Sequence, residues 1–132
     1  MIDLFVSYSN DDYERLQIGK FLESLIRNPE FDRIIACEKI RDENLRQICL
    51  QDTFEKIDYC IFFCSEQGLR SGQMSEEVEM AYLNGKEIIP IYEHYSDVFP
   101  FIRHKQGIKI DQLDYNPNSL AEKLIHEIHK HN

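Results

Sequence analysis

Apolar residues along this chain fall into short dense runs, separated by stretches in which they recur every three or four positions. Ile2–Tyr8 is a dense run and predicts a first strand, followed by the turn Ser9-Asn10-Asp11-Asp12, whose side chains suit a helix N-terminus. From about Asp12 to Asn28, Ile18, Phe21, Leu22 and Leu25 share one helical face, and Asn28-Pro29 closes that helix. Arg33–Cys37 is a short β-branched run that predicts the second strand. The charged segment Glu38–Glu43 comes next. Asn44 then caps a helix with Leu50, Phe54 and Ile57 at i, i+4 and i+7, and Gln47 stands where a capping box places its partner. Tyr59–Ser65 is apolar on both faces, as a central parallel strand requires. A polar loop from Glu66 to Ser71 leads into a helix with Met74, Val78, Ala81 and Tyr82 on one side, ended by Asn84-Gly85. Ile88–Tyr92 and Gly107–Ile110 are the fourth and fifth strands, and Asn116-Pro117 opens a last helix with Leu120, Leu124 and Ile128 on its stripe.

Five rounds of strand and helix imply an α/β domain: a parallel sheet with helices on both faces. Right-handed crossovers favour the doubly wound, flavodoxin-like strand order 2-1-3-4-5. No repeat or Gly/Ser/Pro-rich linker interrupts the 132 residues, so one domain over 1–132 is expected. Ligands of such sheets bind beyond the carboxyl ends of the strands, where the order reverses between strands 1 and 3. The chemistry is therefore expected among Tyr8–Asp12, Glu38–Leu45 and Glu66–Glu77.

Charge narrows the partners. Fifteen Lys and Arg against 24 Asp and Glu give a formal net charge of −9, which repels nucleic acid and anionic lipid. The longest unbroken apolar run, Tyr59–Cys64, is far short of a membrane span. Asp3 stands where a signal peptide carries positive charge, and no apolar h-region follows; a cytoplasmic protein is expected. Cys37, Cys49, Cys60 and Cys64 form no CxxC and read as buried reduced thiols. His126, His129 and His131 read as the polar face of the last helix rather than as metal ligands, so no metal is expected.

Two relatives in topology are disfavoured by the residues themselves. A flavin phosphate needs a glycine- and hydroxyl-rich loop after strand 1, whereas Ser7–Asp12 has no glycine and two carboxylates. A phospho-accepting receiver needs an Asp at the end of strand 3 and a Lys at the end of strand 5. Cys64-Ser65-Glu66 and Ile110-Asp111 stand there.

Three motifs in order resemble those of Toll/interleukin-1 receptor (TIR) domains. Asp3-Leu4-Phe5-Val6-Ser7-Tyr8-Ser9 resembles their first-strand signature, and Ile57–Ser65 is similar to their third strand. Ser71-Gly72-Gln73-Met74-Ser75-Glu76-Glu77 is similar to their S-x-W-x-x-x-E motif, followed in register by Ala81 and Gly85–Ile91. The resemblance runs from Ile2 to about Ile128. It implies an enzyme, related to prokaryotic TIR proteins of antiviral immunity, that cleaves the nicotinamide–ribose bond of NAD. NAD is then a substrate, no resident cofactor is needed, and the product is ADP-ribose or a cyclic isomer. The resemblance further implies self-association through TIR–TIR contacts at the segment after strand 2, the family's BB loop, and a possible sensor or effector partner.

Carried over residue by residue, the motif's last Glu is Glu77, the catalytic candidate. Bond cleavage builds an oxocarbenium-like ribose, which a nearby carboxylate stabilises while holding the ribose hydroxyls. Nicotinamide leaves as a neutral amine, so one carboxylate suffices. Acidic residues near a helix N-terminus are also simply stabilising, which applies to Glu76, Glu77 and Glu79 alike. Tyr8, Ser9, Leu45, Ser71 and Gln73 match substrate-binding positions. Tyr8 equally ends a strand, Leu45 equally fits a core, and Ser71 equally caps a helix. Gln73 replaces the aromatic residue of the motif, and Glu38–Leu45 lacks the family's Gly and Pro. Glu38–Glu43 carries five charged side chains around Ile40, suited to a reversible protein contact. Two rival readings remain on sequence: a non-catalytic TIR adaptor, and an enzyme resembling nucleoside deoxyribosyltransferases.

Overall fold

Five parallel strands pair in the order β2-β1-β3-β4-β5, the order expected from the sequence. They are β1 (Ile2–Ser7), β2 (Phe31–Ala36), β3 (Tyr59–Cys64), β4 (Glu87–Tyr92) and β5 (Ile108–Lys109). The computed structural model describes residues 2–36 and 43–131, with the backbone alone for 43–46 and 131. β1 and β3 lie side by side, Leu4 opposite Tyr59 and Ser7 opposite Phe62. This is the reversal point where the topology places a ligand.

Strand alternation divides the core in two. Leu4, Val6, Tyr59, Ile61, Phe63, Ile89 and Ile91 face one side, where α2 (Ile18–Ile26) and α6 (Pro117–His131) cover them. Phe5, Cys60, Phe62, Cys64 and Ile88 face the other, against α3 (Glu43–Lys56) and α5 (Gly72–Leu83). On that side Phe5 packs between Phe54, with ring centroids 5.0 Å apart, and Phe62, at 6.3 Å. Each such ring contributes about 2–3 kcal/mol through burial. β5 lies very close to β4: a Cβ at Gly107 would sit 2.6 Å from the Pro90 carbonyl oxygen. Among the described residues no helix is long and apolar enough to cross a membrane.

Several local expectations change. The single helix expected over 12–28 is two, α1 (Asn10–Arg15) and α2, because Gln17 adopts a left-handed backbone with φ 49°. The break leaves the Leu16 carbonyl free to accept the Tyr115 hydroxyl proton. The loop expected over 66–71 contains a short helix, α4 (Glu66–Arg70), capped by Ser65, whose hydroxyl accepts the Gly68 N–H. α3 begins at Glu43, so Asn44 lies within it rather than before it. Tyr82 turns outward and is exposed, while Met74, Val78 and Ala81 are buried as expected. Gly85, with φ +65°, takes the left-handed position that ends α5. Cys60 and Cys64 are buried, but Cys49 is exposed, contrary to the expectation for all four; Cys37 and most of the charged segment Glu38–Glu43 lie outside the described residues.

Candidate functional site

Two buried carboxylates stand near the carboxyl ends of the central strands. The first is Glu77. Ser71 caps α5 by accepting the Met74 N–H at 3.2 Å, which fixes where the helix starts. Glu77 then falls in its second turn, in line with Met74, Val78 and Ala81 against the sheet. On β1, Leu4 and Val6 point to the α2/α6 side, so Ser7 shares the α3/α5 side with Phe5. The Ser7 hydroxyl donates to Glu77 Oε1 at 3.2 Å, and both residues are 0 % exposed. A carboxylate so placed requires polar partners, since burial without them is costly. Next to it Gln47 Nε2 donates to Glu76 Oε2 at 3.4 Å, tying α3 to α5.

The second is Asp12, 1 % exposed. Its Oδ2 accepts the Ser9 hydroxyl at 3.0 Å and the Ser65 hydroxyl; its Oδ1 accepts Arg15 Nη2 at 2.8 Å and Nε at 3.2 Å. Arg15 also pairs through Nη1 with Glu93, just past β4. Burial of Arg15 works against its charge, but the bonds to Asp12 and then Glu93 outweigh that and raise its pKa. The network ties α1, β3 and β4 together. It walls a cleft of about 210 Å³, with Cys64, His94 and Gln112 also lining it. Burial pushes the Cys64 and Cys60 thiols up to about 12, so neither is a nucleophile at neutral pH.

The structure distributes the other candidates unevenly. Ser9 is nearly buried and turned onto Asp12. Tyr8 is half-buried with its ring centroid 5.4 Å from that of Tyr13. Ser71 is half-buried and acts as the cap of α5. Gln73, one turn before Glu77, is exposed at the start of the helix. The Leu45 side chain lies outside the described residues. Among the described residues no group of His, Cys, Asp or Glu is placed to hold a metal. Sequence reasoning did not single out Ser7 as a site residue. The available signal was a polar residue ending an otherwise apolar strand, two positions from Phe5 on the same face. Ser65 and Glu93 carried no comparable signal, because their partners are 53 and 78 residues away.

No protein-family model matches this sequence, nor does any curated protein sequence. Solved structures do match it. The TIR domain of the Toll-related receptor TRR-2 from Hydra magnipapillata superposes with a TM-score of 0.70 at 20 % identity, covering 98 % of this chain and 99 % of that one. The CMP N-glycosidase BcmB from Clostridium botulinum superposes with a TM-score of 0.67 at 16 % identity, over 95 % of this chain and 98 % of that one. The fold is that of TIR domains, in its flavodoxin-like strand order.

Proposed function

We propose that this chain is an N-glycosidase of TIR fold that cleaves the nicotinamide–ribose bond of NAD, with Glu77 as its catalytic carboxylate. The observation that carries the reading is Glu77 itself, buried beside the end of β1 and bonded to Ser7, near the reversal point at which sheets of this kind bind ligands. The structural likeness to a CMP N-glycosidase supports the same bond class. In the proposed reaction the C1′–N bond breaks and its electron pair leaves with neutral nicotinamide. The developing ribosyl cation is stabilised by the Glu77 anion, whose effect is greatest in a water-excluded setting. Water then adds at C1′ and loses a proton, giving ADP-ribose; capture by a group of the same nucleotide gives a cyclic isomer instead. CMP, by contrast, loses a cytosine that benefits from protonation, so NAD is the substrate that one carboxylate serves best.

Because Glu77 is fully buried, ribose reaches it only when the side chains above it part. A neighbouring copy engaging Glu38–Leu45 is the proposed trigger, making the isolated domain a weak, concentration-dependent enzyme. A cytoplasmic, prokaryotic defence role is the setting that fits. The same burial, together with Gln73 in place of an aromatic ring, favours a second reading: a non-catalytic adaptor working through TIR–TIR contacts. Concentrated protein incubated with NAD, and in parallel with CMP, separates the two. Nicotinamide release that disappears in Glu77→Gln supports the enzyme. Absence of release, with self-association that is lost in Arg41→Glu, supports the adaptor.

A further inference from the structure

Ser7 occupies a position that packing alone does not explain. It ends β1 on the face where Phe5 meets Phe54 and Phe62, it is 0 % exposed, and alanine there would bring no polar atom to desolvate. A hydroxyl has a single hydrogen, and Ser7 commits it to Glu77 Oε1 at 3.2 Å. We infer that Ser7 is a positioning residue for the proposed N-glycosidase chemistry, its hydroxyl fixing the plane of the Glu77 carboxylate toward the ribose; this rests on the function proposed above.

The physical case lies in the two elements involved. Glu77 ends a side chain with three rotatable bonds, whereas Ser7 is anchored by a strand paired on both sides, opposite Phe62 of β3. The hydrogen bond therefore transfers the rigidity of the sheet to a flexible carboxylate. Stabilisation of a developing cation depends on such alignment, and small misplacements reduce rate more than ground-state binding.

The test compares Ser7→Ala with Ser7→Thr, which keeps the hydroxyl on a residue suited to a strand, each normalised to its folded fraction. Ser7→Ala is expected to lower kcat for nicotinamide release at least about tenfold with KM changed by less than about twofold. Ser7→Thr is expected to recover most of the loss. A Ser7→Ala enzyme as fast per folded molecule as the parent overturns the inference, as does one in which only KM rises. Should Ser7→Ala not fold, Ser7→Cys, a weaker donor of similar size, replaces it. A parent that releases no nicotinamide overturns the function instead, and the contact is then read directly. In protein labelled with ¹³C at glutamate, the Glu77 carboxyl resonance, identified by its loss in Glu77→Gln, is expected to move in Ser7→Ala and return in Ser7→Thr. An unmoved resonance overturns the inference independently of activity.

Discussion

Asp12 and Glu77 are both carboxylates, both buried near the carboxyl ends of the central strands, and they are held in different ways. Asp12 meets a guanidinium through two nitrogens and two hydroxyls, and that guanidinium continues to Glu93. Its charge is countered on the spot, which suits a clamp between elements and leaves little field for a reacting cation. Glu77 Oε1 accepts the Ser7 hydroxyl at the end of β1, a contact that ties the carboxylate to the sheet. Burial alone therefore does not tell a structural clamp from a proposed catalytic acid, and the two carboxylates call for different tests.

The largest expected effect breaks that comparison at Glu77, the proposed catalytic side. Glu77→Gln keeps an oxygen for the Ser7 hydroxyl but removes the anion, so nicotinamide release should fall by at least about 100-fold while the thermal melt moves little. Loss of activity in Glu76→Gln or Glu79→Gln, with Glu77→Gln unaffected, would put the site elsewhere. Asp12→Asn should show the reverse pattern. It weakens the bonds to Arg15 and should lose about 1–3 kcal/mol of stability, lowering Tm by several degrees, with turnover per folded molecule largely kept. Calorimetry beside a turnover assay separates the two outcomes.

A smaller effect sharpens the Glu77 side. Gln73 offers amide hydrogen bonds where an aromatic face would hold a pyridinium. Gln73→Trp should tighten NAD binding several-fold, up to about thirtyfold, as read by titration or by KM. A folded variant with no gain argues for the adaptor. The smallest effect belongs to a third carboxylate, Asp3, paired with exposed Arg33 at 2.9 Å at the opposite end of β1. The hydrogen bond from Arg33 holds the Asp3 carboxyl below its usual 3.8. A lowered folded-state value means that its stabilisation is complete above that usual value and is lost as pH falls through the lowered one. Asp3→Asn should therefore cost a little Tm at pH 7, and the difference should shrink and vanish as the medium is acidified past the lowered value, since exposed pairs contribute little.

How much of this was legible depended on distance along the chain. The sheet order, the buried stripe of α6 and the Gly85 cap follow from periodicity and turn chemistry within a few residues. The break at Gln17 did not, because a non-glycine residue in a left-handed conformation leaves no local mark and Tyr115, whose hydroxyl donates to the Leu16 carbonyl, is 99 residues away. Glu77 was singled out as a candidate by its motif, and the structure adds that it is buried. Its contact with Ser7 spans 70 residues and emerges only when β1 and α5 are brought together. The Asp12 clamp was not read from the sequence: Arg15 stands three residues after Asp12, but Ser65 and Glu93 complete the arrangement from two other crossovers.

The interior place of β1 in the sheet, between β2 and β3, also bears on how the chain emerges during synthesis. β1 is made first, and β2 can pair with it once residue 36 is available. Its other edge, between Leu4 and Ser7, waits for β3, which is not complete until Cys64. At the usual pace of translation that interval lasts seconds, long compared with the microseconds in which hairpins and helices form. For that time the β3-facing edge of β1 has no partner strand, and an unpaired apolar strand edge is a template for aggregation.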